Sequence, residues 1–200
     1  MTREVALRPE ELSDLRWESV FGDDHPVEVE IGCGKGGFLL RRAQAHPEIN
    51  LLGIEWAGEF YRYAVDRMRR RGVGNVRVLR ADASHFIRAV CPRDSLSALH
   101  VYHPDPWPKK RHHKRRLFQQ PFVDAAAACL VRGGRLAVQT DHAEYYGQIF
   151  ALLRSHAALR EVDFRDERFG WGPEGLATNF EVKYAREGRP IYQVAVERCA

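Results

Sequence analysis

Four cysteines are spread over 200 residues, at Cys33, Cys91, Cys129 and Cys199, and no two of them form a C-x-x-C pair. That scatter speaks against a secreted disulfide framework and against a zinc site, and it fits a reducing cytosol. Long apolar runs are missing as well. The opening Met1-Thr2-Arg3-Glu4 lacks the apolar centre of a signal peptide, and no stretch approaches the length needed to cross a bilayer. A cytoplasmic protein with no membrane partner is expected. Repeats and low-complexity tracts are absent, apart from alanines 125–128, which read as helix. His103, His112 and His113 stand at no recognised ligand spacing from another His, Cys or acid, so no metal is expected.

What is present suffices for one core. With 44% hydrophobic and 10% aromatic residues the chain reads as a single domain over residues 1–200, too short for two ordinary ones. The formal charge of +4 is modest, but its placement is informative. His103-Pro104-Asp105-Pro106-Trp107-Pro108 leads directly into Lys109-Lys110-Arg111-His112-His113-Lys114-Arg115-Arg116. Proline fixes its own φ and pushes the residue before it toward extended geometry, so the turn is expected to hold Asp105 and Trp107 in few conformations. The basic run after it is either a solvated loop or a grip on nucleic-acid phosphates.

Strands and helices alternate along the chain. Val27 to Ile31 is a β-branched run followed by Gly32-Cys33-Gly34-Lys35-Gly36-Gly37 and then by helical spacing. A second strand over 50–55 ends at Glu55, and the helix after it closes on Arg69-Arg70-Arg71-Gly72, a basic last turn with a glycine cap. Those arginines read first as an ordinary helix end and second as an RNA contact. Further strands are expected over 76–79, 96–102, 135–140, 159–164 and 191–196, with a helix over about 114–132 that stops at Gly133-Gly134 and another from Ala143. This pattern predicts a doubly wound, mostly parallel α/β sheet with helices on both faces. Ligands in such sheets bind beyond the carboxyl ends of the strands. Glu30, Glu55, Asp82, Asp105 and Asp141 all fall there, so five acids from distant positions should line one crevice.

Gly32, Gly34 and Gly37 match a dinucleotide fingerprint, with Glu55 near the spacing of a ribose-binding acid. S-adenosylmethionine shares the adenosine half and suits an acid-rich crevice better, because it carries a sulfonium cation in place of a pyrophosphate. Glu30 is placed to accept from its ammonium group and Asp82-Ala83 to fix its adenine edge. A nicotinamide cofactor stays open as the alternative.

Glu30-Ile31-Gly32-Cys33-Gly34-Lys35-Gly36, Gly53-Ile54-Glu55, Asp82-Ala83, Pro104 to Arg116, Thr140-Asp141 and Thr178 to Glu181 together resemble, in order, the motif set of the bacterial tRNA (guanine-N7-)-methyltransferases. The resemblance covers most of the chain. It implies a class I S-adenosylmethionine-dependent methyltransferase fold of the Rossmann-like kind, and methylation of guanine 46 in the variable loop of tRNA. Glu30, Gly32, Gly34, Gly36, Glu55, Asp82 and Asp105 would then bind the cofactor, with Asp105 also catalytic. Lys109, Asp141, Thr178, Asn179, Phe180 and Glu181 would contact the substrate. Arg111, His112, His113, Lys114, Arg115 and Arg116 would hold the RNA. The lead before the first strand is short, so a tRNA contact made by a longer extension is not expected. Whether the protein is a monomer or a homodimer stays open.

The acid-proline-aromatic turn at Asp105-Pro106-Trp107 also resembles that of exocyclic-amine methyltransferases, so another S-adenosylmethionine-dependent RNA or amine methyltransferase is the nearest alternative. A non-catalytic RNA-binding module is the alternative of another class. The intact glycines and the five strand-end acids argue against it.

Overall fold

The computed structural model describes residues 4–8, 12, 14–166 and 190–199. Its elements run β1 (Ala6–Leu7), α1 (Trp17–Phe21), β2 (Val27–Ile31), α2 (Gly37–Ala45), β3 (Asn50–Ile54), α3 (Gly58–Arg71), β4 (Val76–Leu79), α4 (Ala83–His85) and a π-helical turn over Phe86–Val90. There follow β5 (Leu96–Tyr102), a 3₁₀ segment over Lys110–Arg115, α5 (Gln120–Cys129), β6 (Leu130–Thr140), α6 (Ala143–Ser155), β7 (Leu159–Val162) and β8 (Tyr192–Arg198).

The eight strands form one sheet in the order β1-β4-β3-β2-β5-β6-β8-β7. Pairings from β1 to β6 are parallel, whereas β8 runs antiparallel to both β6 and β7. The strand order reverses at β2, with β3 on one side and β5 on the other. That switch point is where an open α/β sheet leaves a crevice, and the glycine loop follows β2.

Every residue of β2 is buried, and alternation sends its two sets of side chains into different surroundings. Val27, Val29 and Ile31 join Leu99, Val101, Leu136 and Val138 in the main apolar core, which also takes in Phe118, Phe122, Tyr145 and Ile149. Glu28 faces a buried polar layer. Its two oxygens accept from Nη2 and Nε of Arg42, at 2.6 and 2.9 Å, and its Oε2 also lies 3.0 Å from Nε2 of His100. Because a carboxylate only accepts, His100 donates through Nε2 and takes the Tyr102 hydroxyl proton on Nδ1, at 2.8 Å. Burial alone would raise the Glu28 carboxyl, but the bonds from Arg42 and His100 outweigh it and hold it at about 2. His100 is pushed below its ordinary value by burial, which outweighs the pull of Glu28. The chain from Arg42 to Tyr102 thus ties α2, β2 and β5 together at the switch point.

The helix expected over 114–132 is shorter at both ends. Pro121 in its first turn sets the start, since proline fits there and lacks the N–H that an earlier start would require. The cations ahead of it form the separate 3₁₀ segment. At the other end Gly133 and Gly134 lie within β6, where the pairing with β5 jumps from Leu96↔Leu130 to Ala98↔Arg135. The glycines serve a strand irregularity, not a helix cap. Strand β7 stops at Val162, two residues short of expectation. The glycine cap expected for α3 is present: Gly72 has φ +63 and donates to Arg69.

Candidate active site

Gly32, Gly34 and Gly36 all adopt positive φ, at +70, +54 and +68. A Cβ on Gly32 or Gly34 would point into open space, so the loop leaves a hollow over the end of β2. Gly36 has a packing reason as well, since its Cβ would lie 2.7 Å from Met68 on α3. Glu55, just past β3, closes the loop by accepting from Gly34 N–H at 2.8 Å through one oxygen and from Ala57 N–H at 2.8 Å through the other.

Glu30 is buried beneath this loop, and its Oε2 has no hydrogen-bond partner. Burial pushes its carboxyl up to about 8, with nearby Arg41 pulling down and Glu55 pushing further up. An orphaned acceptor under a glycine hollow, beside a second carboxylate, fits an adenosyl ligand carrying a primary ammonium. Glu30 would take the ammonium and Glu55 the ribose hydroxyls, so the residues fit S-adenosylmethionine. Asp82 has a structural duty too, capping α4 by accepting from His85 N–H at 2.9 Å.

Two cavities meet at the next turn. One of about 450 Å³ is lined by Gly32, Gly34, Glu55 and Trp56 together with Asp105 and Trp107. The other, of about 560 Å³, is lined by Asp82, Arg88, Lys114 and Arg115, again with Asp105 and Trp107. Asp105 therefore stands on the wall between a glycine-and-acid hollow and a basic one. Asp141 lies beyond the end of β6, close enough to His103 to act on its charge. Of the five strand-end acids, three line these cavities. Thr178 to Glu181 lie outside the described residues.

The proline turn takes a different form from the one expected. His103 and Trp107, each preceding a proline, have φ of +54 and +42 where extended backbone was anticipated. Left-handed geometry at two bulky residues costs energy and persists only where surrounding contacts impose it. Those contacts are visible. His103 N–H is held by Gln139 O at 2.7 Å, the Trp107 ring meets His112 edge-on at 5.8 Å, and the Arg115 guanidinium lies 5.1 Å over that ring.

Arg116 requires a correction. Read as an RNA contact, its guanidinium is instead fully buried, with Nε donating to Pro106 O at 2.8 Å and the fork held by Glu144 at 2.9 and 2.7 Å. Nη1 also reaches Gln148 at 2.7 Å, and the group lies 4.8 Å over the Tyr145 ring. Arg116 latches the Asp105 turn onto α6. The bonds from Arg116 in turn hold the Glu144 carboxyl down at about 2. Lys109, Arg111, Lys114 and Arg115 are exposed, and His112 and His113 are half-buried. Sequence reasoning missed Glu28, Arg42, His100 and the exposed Trp56. For Glu28 the alternation of Glu with Val in β2 was the available signal.

Among the described residues no group of His, Cys, Asp and Glu is arranged to hold a metal ion, and no helix is long and apolar enough to cross a membrane. A family model described as "Putative methyltransferase" matches residues 24–194. The tRNA (guanine-N(7)-)-methyltransferase of Streptococcus mutans is 32% identical over 192 residues, which is 96% of this chain and 90% of the relative. That of Nitrosococcus oceani is 35% identical over 184 residues, 92% of this chain and 76% of the relative. Among solved structures, phosphoethanolamine N-methyltransferase 2 of Haemonchus contortus, in complex with S-adenosyl-L-methionine, superposes with a TM-score of 0.56. At 12% identity, over 92% of this chain and 51% of that one, it shares the fold alone.

Proposed function

The chain belongs to this methyltransferase family, and from that premise we propose that it is a tRNA (guanine-N7-)-methyltransferase acting on guanine 46 of the variable loop in the cytoplasm. The observation that carries the reading is Asp105 on the wall shared by the glycine-loop cavity and the basic cavity. S-adenosylmethionine, the methyl donor, supplies an electrophilic methyl group on a sulfonium when bound. Glu30 and Glu55 would hold its ammonium and ribose ends, and Asp82 would meet the adenine.

N7 of neutral guanine already carries an available lone pair, so no residue has to remove a proton. Positive charge moves from sulfur to the purine ring, and a fixed carboxylate beside that path favours the move. Asp105 would take this role, with Asp141 and Glu181 as further acids contacting the substrate. A carboxylate that accepts from N1–H and the exocyclic amine of guanine together selects guanine over adenine. Lys109 and Thr178 to Phe180 complete the substrate contacts, and Arg111, Lys114 and Arg115 engage tRNA phosphates.

The test is incubation of labelled S-adenosylmethionine with unmodified tRNA, followed by nucleoside analysis and mapping of the modified position. Labelled 7-methylguanosine at position 46 is expected. In Asp105→Ala, kcat should fall about 10²–10³-fold, the usual effect of losing one preorganised electrostatic partner, while tRNA affinity is kept. Label in another nucleoside overturns the reading, and 7-methylguanosine elsewhere overturns the assigned position.

A further inference from the structure

The large apolar side chains exposed among the described residues are Trp56, at 70%, and Phe60 and Tyr63, at 40% each. All three lie on one strip that begins at the cavity mouth and runs up α3. Trp56 lines both cavities and Phe60 lines the glycine-loop cavity. Phe60, Tyr63 and Arg67 then follow at helical spacing, about 10 Å of helix at 1.5 Å per residue. An outer helix face that is merely solvated has no reason to gather aromatic rings.

The rings carry cations. Lys35 Nζ lies 5.9 Å from the Phe60 ring centroid and 5.2 Å from that of Tyr63, and the Arg67 guanidinium lies 5.3 Å from the Tyr63 ring. Arg67 also donates to Lys35 O at 3.1 Å, which joins the glycine loop to the helix. Arg62 is exposed on the neighbouring turn, and neither it nor Lys35 forms an ion pair among the described residues. The arginines at the far end of α3 are engaged differently: Arg69 pairs with Glu4 and Arg70 with Asp66, each at 2.6 Å. Lys35 and Arg62 thus stand near the cavities without an acid partner in an ion pair among the described residues.

Resting on the tRNA methyltransferase reading above, we propose that this strip and its neighbour Arg62 form a second tRNA surface, on which Lys35, Arg62 and Arg67 take phosphates while Phe60 and Tyr63 hold Lys35, and Tyr63 holds Arg67, in place. The occupant is RNA backbone continuous with the loop that enters the basic cavity. Two features argue for it. The charge is of the sign that phosphates require, and the strip is continuous through Trp56 with both cavities. With the 3₁₀ segment on the other side of the cavity mouth, the tRNA would be held on two flanks of the target base.

The experiment measures equilibrium binding of unmodified tRNA to the full-length protein across a salt series, for wild type and for Arg62→Gln/Arg67→Gln. With two fewer phosphates neutralised, the slope of log affinity against log salt should fall by about 1.4. Between about 50 and 200 mM salt, wild type should therefore lose about seven-fold more affinity than the variant. A thermal shift produced by S-adenosylmethionine should remain in both, and Arg62→Lys/Arg67→Lys should restore the slope. An unchanged slope in the glutamine variant overturns the proposal even if wild type makes 7-methylguanosine, which separates its failure from failure of the functional reading. Loss of the cofactor shift with tRNA binding intact would assign the strip to the cofactor site instead. Loss of a concentration-dependent dimer with tRNA binding intact would assign it to self-association, and either result overturns the proposal.

Discussion

A carboxylate that is buried, lacks a partner on one oxygen and is raised to about 8 is uncharged at neutral pH, so apo Glu30 carries a proton that its proposed ligand must displace. Binding an ammonium group against it requires the ionised form. S-adenosylmethionine binding should therefore release a proton at pH 7, and affinity should rise with pH, by up to about ten-fold per unit, as pH approaches about 8 from below. Calorimetry in two buffers of different ionisation enthalpy reads the proton directly, and zero release at pH 7 would contradict the assignment. Stability carries the matching sign. Glu30 has a folded value above its unfolded one, so its contribution is fully present below about 4.3 and is lost as pH rises toward about 8. Glu30→Gln should consequently be more stable than wild type at pH 8 without ligand, by an amount on the order of a few kcal/mol and with a higher melting temperature, and should lose the ligand-induced shift. A lower apo melting temperature at that pH would show that the carboxylate is stabilising in a way the geometry does not reveal.

The stretch from Asp105 to Arg116 reads as one basic element in sequence, yet in three dimensions it divides by exposure. Arg116 faces inward and fastens the turn to α6, while Lys109, Arg111, Lys114 and Arg115 face solvent. Arg116→Ala leaves Pro106 O and Gln148 short of a donor, so it should lower stability by about 1–3 kcal/mol. It should also loosen Asp105, lowering kcat while leaving the salt slope of tRNA binding unchanged. Chemical denaturation and the salt series check the two halves, and a flattened slope would return Arg116 to the phosphate grip. Arg116→Lys should recover little, because an ammonium cannot reproduce the fork. What sequence displays and hides follows the same division. Apolar alternation in β2 and the basic, glycine-capped end of α3 depend on near neighbours, so they could be read along the chain. The Glu28 contacts to Arg42 and His100 span 14 and 72 residues, and Arg116 meets Glu144 across 28. No local pattern encodes such partners. The two-residue β1 was missed for a related reason, since its place comes from pairing with β4.

At the scale of the molecule, one sheet brings the described strand-end acids to the same edge. Strands β2, β3, β5 and β6 run parallel, so their carboxyl ends coincide and Glu30, Glu55, Asp105 and Asp141 emerge together although 111 residues separate the first from the last. Charge is distributed to match. Acids sit in and under the hollow, whereas exposed cations flank it on the 3₁₀ segment and on α3, so a polyanion is drawn to the rim and excluded from the cofactor's place. If both flanks hold phosphates of one tRNA at once, their salt effects must add. Neutralising Arg111, Lys114 and Arg115 should flatten the slope by about 2, at roughly 0.7 for each phosphate no longer neutralised. Combining those changes with Arg62→Gln/Arg67→Gln should flatten it by the sum of the two. A combined variant no flatter than the 3₁₀ variant alone would mean that the two surfaces are not occupied together, leaving the 3₁₀ segment as the sole electrostatic grip.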